Sequence, residues 1–241
     1  MTGIIGAIVN AAVVILGGII GVIAGKAFTE KISDTIMKGL GLVVILIGLS
    51  GALEGKLILV TIISIALGAL IGELLDIDKF FRKLSEAAER KFAKKDNSKG
   101  NFAEGMCAGA LLFCVGAMSV VGSLQAGLTG DCTTIYTKSL IDFIAAMILA
   151  STMGIGVSFS SIPLIIYQGV ITLCAGFISP FLSDAVVAEM TCAGSLIIMG
   201  LGLNMIGVAK LKVANYLPAI FLPIAICPIY DIIADFLSKF L

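Results

Sequence analysis

The chain has 241 residues, of which 59% are hydrophobic and 13% charged, and its 16 basic residues balance its 16 acidic residues. Soluble domains carry about 45–50% apolar and about 25% charged residues, so this composition excludes an ordinary soluble domain. There is no histidine, which removes the usual proton shuttle and the commonest metal ligand. The six cysteines lack CxxC spacing and are interpreted as small buried hydrophobes. We therefore expect a polytopic membrane protein without metal, cofactor or nucleic-acid partner.

Apolar runs long enough to cross a bilayer follow one another along the whole chain. There are too many for a signal peptide to explain, so the first is expected to remain as a span. The last contains Pro218, Pro223 and Pro228, which could break it or make it re-entrant, so seven spans is the alternative. The eight predicted spans lie at about 3–25, 34–53, 56–75, 102–125, 134–155, 158–181, 187–208 and 214–237.

The one long polar stretch, Asp76 to Asn101, separates the third and fourth spans and is rich in lysine and arginine. By the positive-inside rule this loop faces the cytoplasm, which places both termini of the eight-span chain outside. Its apolar residues recur at helical spacing, which predicts an amphipathic helix lying on the lipid surface. We therefore expect a multi-pass protein of the bacterial inner membrane.

Three apolar stretches align without gaps: Gly41 to Gly55, Ala110 to Leu124, and Ser195 to Ala209. The first span also resembles the sixth, so spans 1–3 correspond to spans 6–8, and spans 4–5 form a partial copy. An odd number of spans separates the two triplets, so they are predicted to be inverted relative to each other. One alignment column holds Ser50, Ser119 and Asn204.

The predicted fold is an all-α integral membrane protein of about eight transmembrane helices with an inverted three-helix repeat. It forms a single membrane domain. Its parts are the first repeat at residues 3–75, the cytoplasmic loop at 76–101, the partial repeat at 102–155 and the inverted second repeat at 156–241.

Ionisable side chains inside the spans are the first candidates for a binding site, because they are costly to place in a bilayer. Asp142 lies about eight residues into span 5, and Lys138 precedes it by one helical turn, so the two can form an ion pair. Glu73 occupies the position equivalent to Asp142 in the first copy, and Asp231 lies a few residues from the equivalent position in the last. A purely structural Lys–Asp pair remains the alternative.

Neutral polar residues form a second candidate set, which comprises Asn10, Gln168 and the aligned Ser50, Ser119 and Asn204. Their carbonyl and hydroxyl oxygens can replace part of the hydration shell of an ion or hold a small polar solute. Each could equally form a hydrogen bond between helices, worth about 0.6 kcal/mol.

Three segments resemble the bacterial membrane family known as domain of unknown function 554: GIIGAIVNAAVVILGGIIG, KSLIDFIAAMILASTMGIGVSFSSIPLIIYQG and GLNMIGVAKLKVANYLPA. The resemblance covers nearly the whole chain apart from the loop. It implies an inner-membrane protein, at most a possible ion channel or pump. The positions that it singles out are Asn10, Lys138, Asp142, Gln168, Asn204, Lys212, Asn215 and Pro218.

These features predict membrane transport of a small ion or polar solute, by a secondary transporter or an ion-conducting pore. A membrane enzyme is not expected, because no GxSxG, Walker or similar catalytic motif is present. The alternative is a scaffold or signalling protein that recruits partners through the basic loop. Glycines at four-residue spacing, including Gly17, Gly21 and Gly25 of span 1, also predict a homodimer, although the same faces could pack within one chain.

Overall fold

The computed structural model describes residues 3–27, 29–79, 83, 102–115 and 117–238, and all the regular structure in this part of the chain is helical. Two short 3-10 helices, Ser179–Phe181 and Val213–Ile220, accompany the α-helices. The α-helices are α1 (Gly3–Gly25), α2 (Glu30–Ala52), α3 (Ile58–Leu75), α4 (Phe102–Cys114), α5 (Ala117–Thr129), α6 (Thr133–Met153), α7 (Gly156–Phe159), α8 (Ser161–Leu173), α9 (Ala175–Ile178), α10 (Asp184–Met205) and α11 (Pro223–Ser238).

Within the described residues, six helical stretches are long and apolar enough to cross a membrane, and two bent helix pairs raise the number to eight if each pair counts as one span. Their bounds fall within about four residues of those predicted, except that the predicted span 158–181 corresponds to a helical stretch that ends at Leu173. The protein is therefore an all-helical, multi-span membrane protein. The number of spans, between six and eight, depends on whether each bent pair crosses the membrane.

Both bent pairs are interrupted apolar runs. The 3-10 helix Val213–Ile220 and α11 meet at a bend of 50° beside Pro223, where proline was expected to break the span. The other bend, of 60°, separates α4 from the stretch 118–129 of α5. This break was not predicted, because the run contains no proline and reads as one continuous apolar segment.

Each of the first three spans packs antiparallel against the span that the repeat assigns as its counterpart. The closest helix pairs include α1 with α8, α2 with α10, and α3 with the 3-10 helix Val213–Ile220. The order of the glycine contacts gives the direction of each pair. Gly3 and Gly18 of α1 lie against Thr172 and Ser158, respectively. Gly41 and Gly55 of α2 lie against Met205 and Cys192, and Gly68 and Gly72 of α3 lie against Ala219 and Asn215. These contacts show that the three pairs of spans run antiparallel, and the inverted repeat itself stays a prediction.

The glycine face of α1 is buried within the chain. Gly17, Gly21 and Gly25 lie against backbone carbonyls of α6, and the order of these contacts shows that α1 and α6 run parallel. Because α6 covers this face of α1, the face is not available to a second copy of the protein. The predicted dimer would therefore need another surface.

Most of the predicted cytoplasmic loop, residues 76–101, lies outside the described residues, and so does most of its predicted amphipathic helix. At its start, Asp76 ends α3 in the left-handed conformation, with φ of 49°. The backbone N–H of Asp78 then donates to Asn215 Oδ1 at 2.7 Å. The loop thus leaves the helices at the end of the molecule where the 3-10 helix Val213–Ile220 begins.

Candidate functional site

Polar side chains from four different helices meet in the interior of the helical domain. We call this group the polar cluster; its members are Asn10 on α1, Ser119 on α5, Lys138 and Asp142 on α6, and Gln168 on α8. Each has 5% or less of its surface exposed. Asp142 lies near the midpoint of α6, so the cluster sits well inside the membrane-spanning part of the chain.

A continuous set of hydrogen bonds joins the polar cluster. Lys138 Nζ donates to Asp142 Oδ2 as the helical spacing predicts. Asn10 Nδ2 donates to Asp142 Oδ2 at 3.0 Å and to Gln168 Oε1 at 3.2 Å. Gln168 Nε2 donates in turn to Ser119 Oγ at 3.2 Å. One ionic pair is therefore surrounded by neutral side chains that orient it.

Close contact between α1 and α6 allows a short side chain to reach the carboxylate. Gly6 lies against Cys132 and Gly17 against the carbonyl of Phe143, and these two glycines flank Asn10 along α1. Small residues let helix backbones approach one another where larger side chains would hold them apart. The glycine pattern of α1 therefore serves the geometry of the polar cluster.

One oxygen of the polar cluster lacks a hydrogen-bond partner. Asn10 Oδ1 is buried and accepts no hydrogen bond from the described residues. The amide cannot simply be turned around, because its N–H group faces Asp142 and an ionised carboxylate only accepts hydrogen bonds. Leaving a buried acceptor unpaired costs about 1–3 kcal/mol.

A cavity of about 320 Å³ has a largely apolar lining that includes no member of the polar cluster. Cys114 lines it and lies within electrostatic range of Lys138 and Asp142, and Tyr167 lines it next to Gln168 in the sequence. The cavity also touches both breaks, at Val115 after α4 and at Phe221 before α11. Its full lining is Ala110, Leu111, Cys114, Val115, Pro163, Ile166, Tyr167, Leu217, Ile220 and Phe221.

The aligned column of Ser50, Ser119 and Asn204 does not form one site. Only Ser119 joins the polar cluster. Ser50 is exposed on α2, because α2 turns Gly48 and Gly51 toward α10 instead. Asn204 lies near the end of α10, where its side chain bonds the backbone of Leu211 through both Nδ2 and Oδ1, at 2.8 and 2.9 Å. It closes the turn after α10.

The other two predicted acids also lie elsewhere. Asp231 is exposed on α11. Glu73, near the end of α3, accepts from Lys212 Nζ and from Asn215 Nδ2, both at 2.6 Å. The Glu73 carboxylate raises the pKa of Lys212 above its ordinary value by accepting this hydrogen bond. These contacts tie α3 to the start of the last bent pair, at the end from which the loop leaves.

A second buried acid was not among the predicted site residues. Glu189, on α10, has 1% of its surface exposed. Its Oε1 accepts from the backbone N–H groups of Lys56 and Leu57 at 2.6 and 2.7 Å, and its Oε2 accepts from Thr61 Oγ1 at 2.8 Å. A carboxylate at a helix N-terminus is stabilised by the free N–H groups and the helix dipole. Glu189 therefore caps α3. Its position within an apolar run of the sequence was the signal that could have identified it as a buried acid.

Comparison with known proteins identifies relatives along almost the whole chain. The model of the family described as "Protein of unknown function (DUF554)" matches residues 5–228. The chain is 32% identical to the uncharacterized membrane protein YdfK of Bacillus subtilis, over 90% of this chain and 93% of that protein. It is 31% identical to the uncharacterized protein YqgA of Escherichia coli, over 91% and 94%. No solved structure matches it. The chain thus belongs to the DUF554 family of membrane proteins.

Proposed function

We propose that this protein transports a small ion or polar solute across the bacterial inner membrane, and that the polar cluster is its binding site. The observation that carries the proposal is the buried pair of Lys138 and Asp142, bonded by Asn10 from another helix. Charged groups within a membrane domain are expensive and usually belong to a pathway or a proton relay. A chain that needed only stability could hold these helices together with apolar side chains.

The breaks in two membrane spans support the same function. Transporters form their sites where helices are interrupted, because broken ends expose backbone groups to a bound solute. Here the breaks after α4 and before α11 line one cavity, and Cys114 of that cavity lies near the Lys–Asp pair. A path between this cavity and the polar cluster would have to open as the helices move.

The antiparallel packing of counterpart spans supports alternating access in particular. If the halves are inverted copies, a state open to one side has a counterpart open to the other side, reached by exchanging the conformations of the two halves. We propose no catalytic activity. The loop at residues 76–101 is proposed to face the cytoplasm and to rest on anionic lipid through its basic residues.

Flux through purified protein in liposomes tests the proposal. Vesicles would be loaded and assayed with radioactive sodium, rubidium, chloride, methylammonium and small neutral amino acids. We expect flux of one of these above that of empty liposomes, and its loss in the Asp142→Asn variant. The control is Asp231→Asn, which changes an exposed acid and should keep the flux. Absence of flux for every solute in folded wild-type protein would favour the scaffold alternative.

A further inference from the structure

The 3-10 helix Val213–Ile220 is weakly held by its own backbone. Such helices rarely exceed about three or four residues because their hydrogen bonds have poor geometry, whereas this one has eight residues. Pro218 within it has no backbone N–H group, and the bend of 50° before α11 follows directly. The position of this segment therefore depends on its contacts with neighbouring elements.

The segment is packed tightly on the side that faces α3. Gly68 lies against Ala219, and Gly72 lies against the backbone of Asn215. Both positions on α3 are glycine, which lets the two backbones approach closely. The segment is therefore seated against α3 along its length.

Two cavities border the segment on its other sides. Leu217 and Ile220 line the cavity of about 320 Å³ between the segment, α4 and α8. Val213 and Tyr216 line a second cavity, of about 140 Å³, between the segment and α10. Residues three apart share a face of a 3-10 helix, so Leu217 and Ile220 lie on a different face from Ala219. Protein interiors are normally packed closely, and these spaces leave room for the segment to move away from α3.

Three polar side chains fasten the start of the segment to α3, and we call them the latch. Glu73 uses both carboxylate oxygens: Oε1 accepts from Lys212 Nζ and Oε2 accepts from Asn215 Nδ2, each at 2.6 Å. Asn215 Oδ1 accepts in turn from the backbone N–H of Asp78 at 2.7 Å. The latch of Glu73, Lys212 and Asn215 thus joins α3, the segment and the start of the loop. It lies at the end of the segment opposite the bend.

The ion pair of the latch can break at low cost. The side chains of Lys212 and Glu73 are 55% and 60% exposed, and exposed ion pairs contribute little because water screens the charges. Asp76 and Asp78 also lie within electrostatic range of Lys212, so its ammonium group keeps negative charge nearby after it leaves Glu73. We propose, building on the transport function above, that Val213–Ile220 is a gate segment that swings away from α3, and that the latch holds it closed.

The bend before Pro223 serves as the hinge of this movement. Hinges are a few residues at the ends of elements that absorb a change of backbone conformation, and the bend joins the gate segment to α11. Release of the latch parts the gate segment from α3 at the loop end. Because Leu217 and Ile220 belong to the wall of the cavity of about 320 Å³, the same movement reshapes that cavity.

Hydrogen–deuterium exchange measures the opening of the gate segment without requiring transport. Purified protein in lipid nanodiscs is compared with its variants at the backbone N–H groups of residues 213–221, which exchange when the segment opens. Glu73→Gln should speed this exchange about tenfold or more, as expected for loss of a hydrogen bond to a charged group. Lys212→Met should speed it at most about fivefold, as expected for an exposed ion pair. Other segments should exchange as in the wild type.

Lys38→Met is the matched control. Lys38 pairs with Asp34 at 2.7 Å, and the two side chains are 57% and 63% exposed, but both lie on α2 and neither contacts the gate segment. This variant should leave the exchange of residues 213–221 unchanged. Equal exchange of the gate segment in the wild type, Glu73→Gln and Lys38→Met would overturn the proposal. Faster exchange throughout the Glu73→Gln protein would also overturn it, because the latch would then support the whole fold.

A reversible lock distinguishes a gate from a helix end that merely frays. Cysteines replace Glu73 and Lys212 in a chain without other cysteines, and a bifunctional maleimide with a reducible linker joins them. We expect the joined protein to lose flux in liposomes and to regain it when the linker is reduced. Cysteines placed at Asp34 and Lys38 and joined in the same way should keep their flux. Full flux through the protein joined at positions 73 and 212 would contradict the gate.

These measurements also separate the gate from transport itself. Faster exchange of residues 213–221 in the latch variants, with no flux of any solute through the wild type, would uphold the moving segment and contradict transport. Flux that survives the lock would uphold transport and contradict the gate.

Discussion

Asn10 Nδ2 lies 3.0 Å from Asp142 Oδ2, and this hydrogen bond joins the first helix to a carboxylate 132 residues away in the sequence. The same amide also donates to Gln168 Oε1 at 3.2 Å, so one side chain connects α1, α6 and α8. Its carbonyl oxygen, Oδ1, accepts no hydrogen bond from the part of the chain that the structure describes.

The Lys138–Asp142 pair allows structure and function to be separated by comparing single and double variants. Asp142→Asn leaves the lysine charge buried without its partner and should destabilise the protein by about 3–5 kcal/mol. Lys138→Met with Asp142→Leu removes both charges and should unfold near the wild-type temperature in detergent, yet lose flux. A double variant with wild-type flux in liposomes would show that the pair only holds helices together.

Glu189 is predicted to be a structural acid. Glu189→Gln replaces one acceptor oxygen by an amide group, so it loses at least one of the three hydrogen bonds that the carboxylate accepts. Loss of a buried charged hydrogen bond should lower stability by about 1.5–3 kcal/mol. Glu104→Gln is the matched control, because Glu104 occupies the aligned position in α4 and is exposed. Thermal unfolding in one detergent compares the two, and equal melting temperatures would contradict the capping role.

The close contact of α3 with the last bent pair depends on a glycine. A Cβ atom at Gly72 would lie 1.7 Å from the carbonyl oxygen of Asn215, which is closer than any real contact. Gly72→Ala should therefore force the two elements apart and lower the melting temperature. Gly39→Ala has open space and should be neutral or stabilise α2 by up to about 1 kcal/mol. If the two variants melted alike, the packing of α3 described above would be wrong.

Several features of this arrangement follow from the sequence for identifiable reasons. Helical geometry places residues four apart on one face, so the pairing of Lys138 and Asp142 was predictable from spacing alone. Helix bounds were predictable because long apolar runs can only be helical in lipid. Asn10 and Gln168 were candidates because they are rare polar residues inside apolar spans, but the same argument also selected Asn204, which lies elsewhere.

Other features depend on how each helix is rotated about its own axis, and a uniformly apolar sequence does not indicate this rotation. When nearly every residue of a span is apolar, no amphipathic pattern tells which face is buried, so Ser50 and Ser119 align in sequence yet face different surroundings. The capping contact of Glu189 could not be predicted from the sequence, because its partners include backbone N–H groups, which every residue type except proline carries. The break after α4 could not be predicted, because the apolar run there contains no proline.

The Lys212–Glu73 pair should give a small stability term that depends on salt and on alkaline pH. Hydrogen bonding to Glu73 raises the pKa of Lys212, so its contribution is complete below the ordinary lysine value of about 10.4. The contribution is lost as the pH rises through the raised value. The melting difference between wild type and Lys212→Met should therefore be constant from about pH 7 to 9 and disappear at strongly alkaline pH. High salt should reduce it, because both side chains are more than half exposed. A difference that changed within the neutral range would contradict this assignment.

Membrane orientation is the last prediction, and it can be tested at both ends of the helices. Single cysteines would replace Lys91, Lys210 or Lys56 in a chain without other cysteines. The positive-inside rule places Lys91 in the cytoplasm, and the bond between Asp78 and Asn215 holds the loop's start near the segment that contains Lys210. Lys56 precedes α3 at its opposite end. An impermeant maleimide added to intact cells should therefore modify the cysteine at position 56 but neither of the other two, while lysed cells should allow modification at positions 91 and 210. Modification at position 91 in intact cells would show that the protein has the opposite orientation. The last bent pair would then begin on the outer side of the membrane.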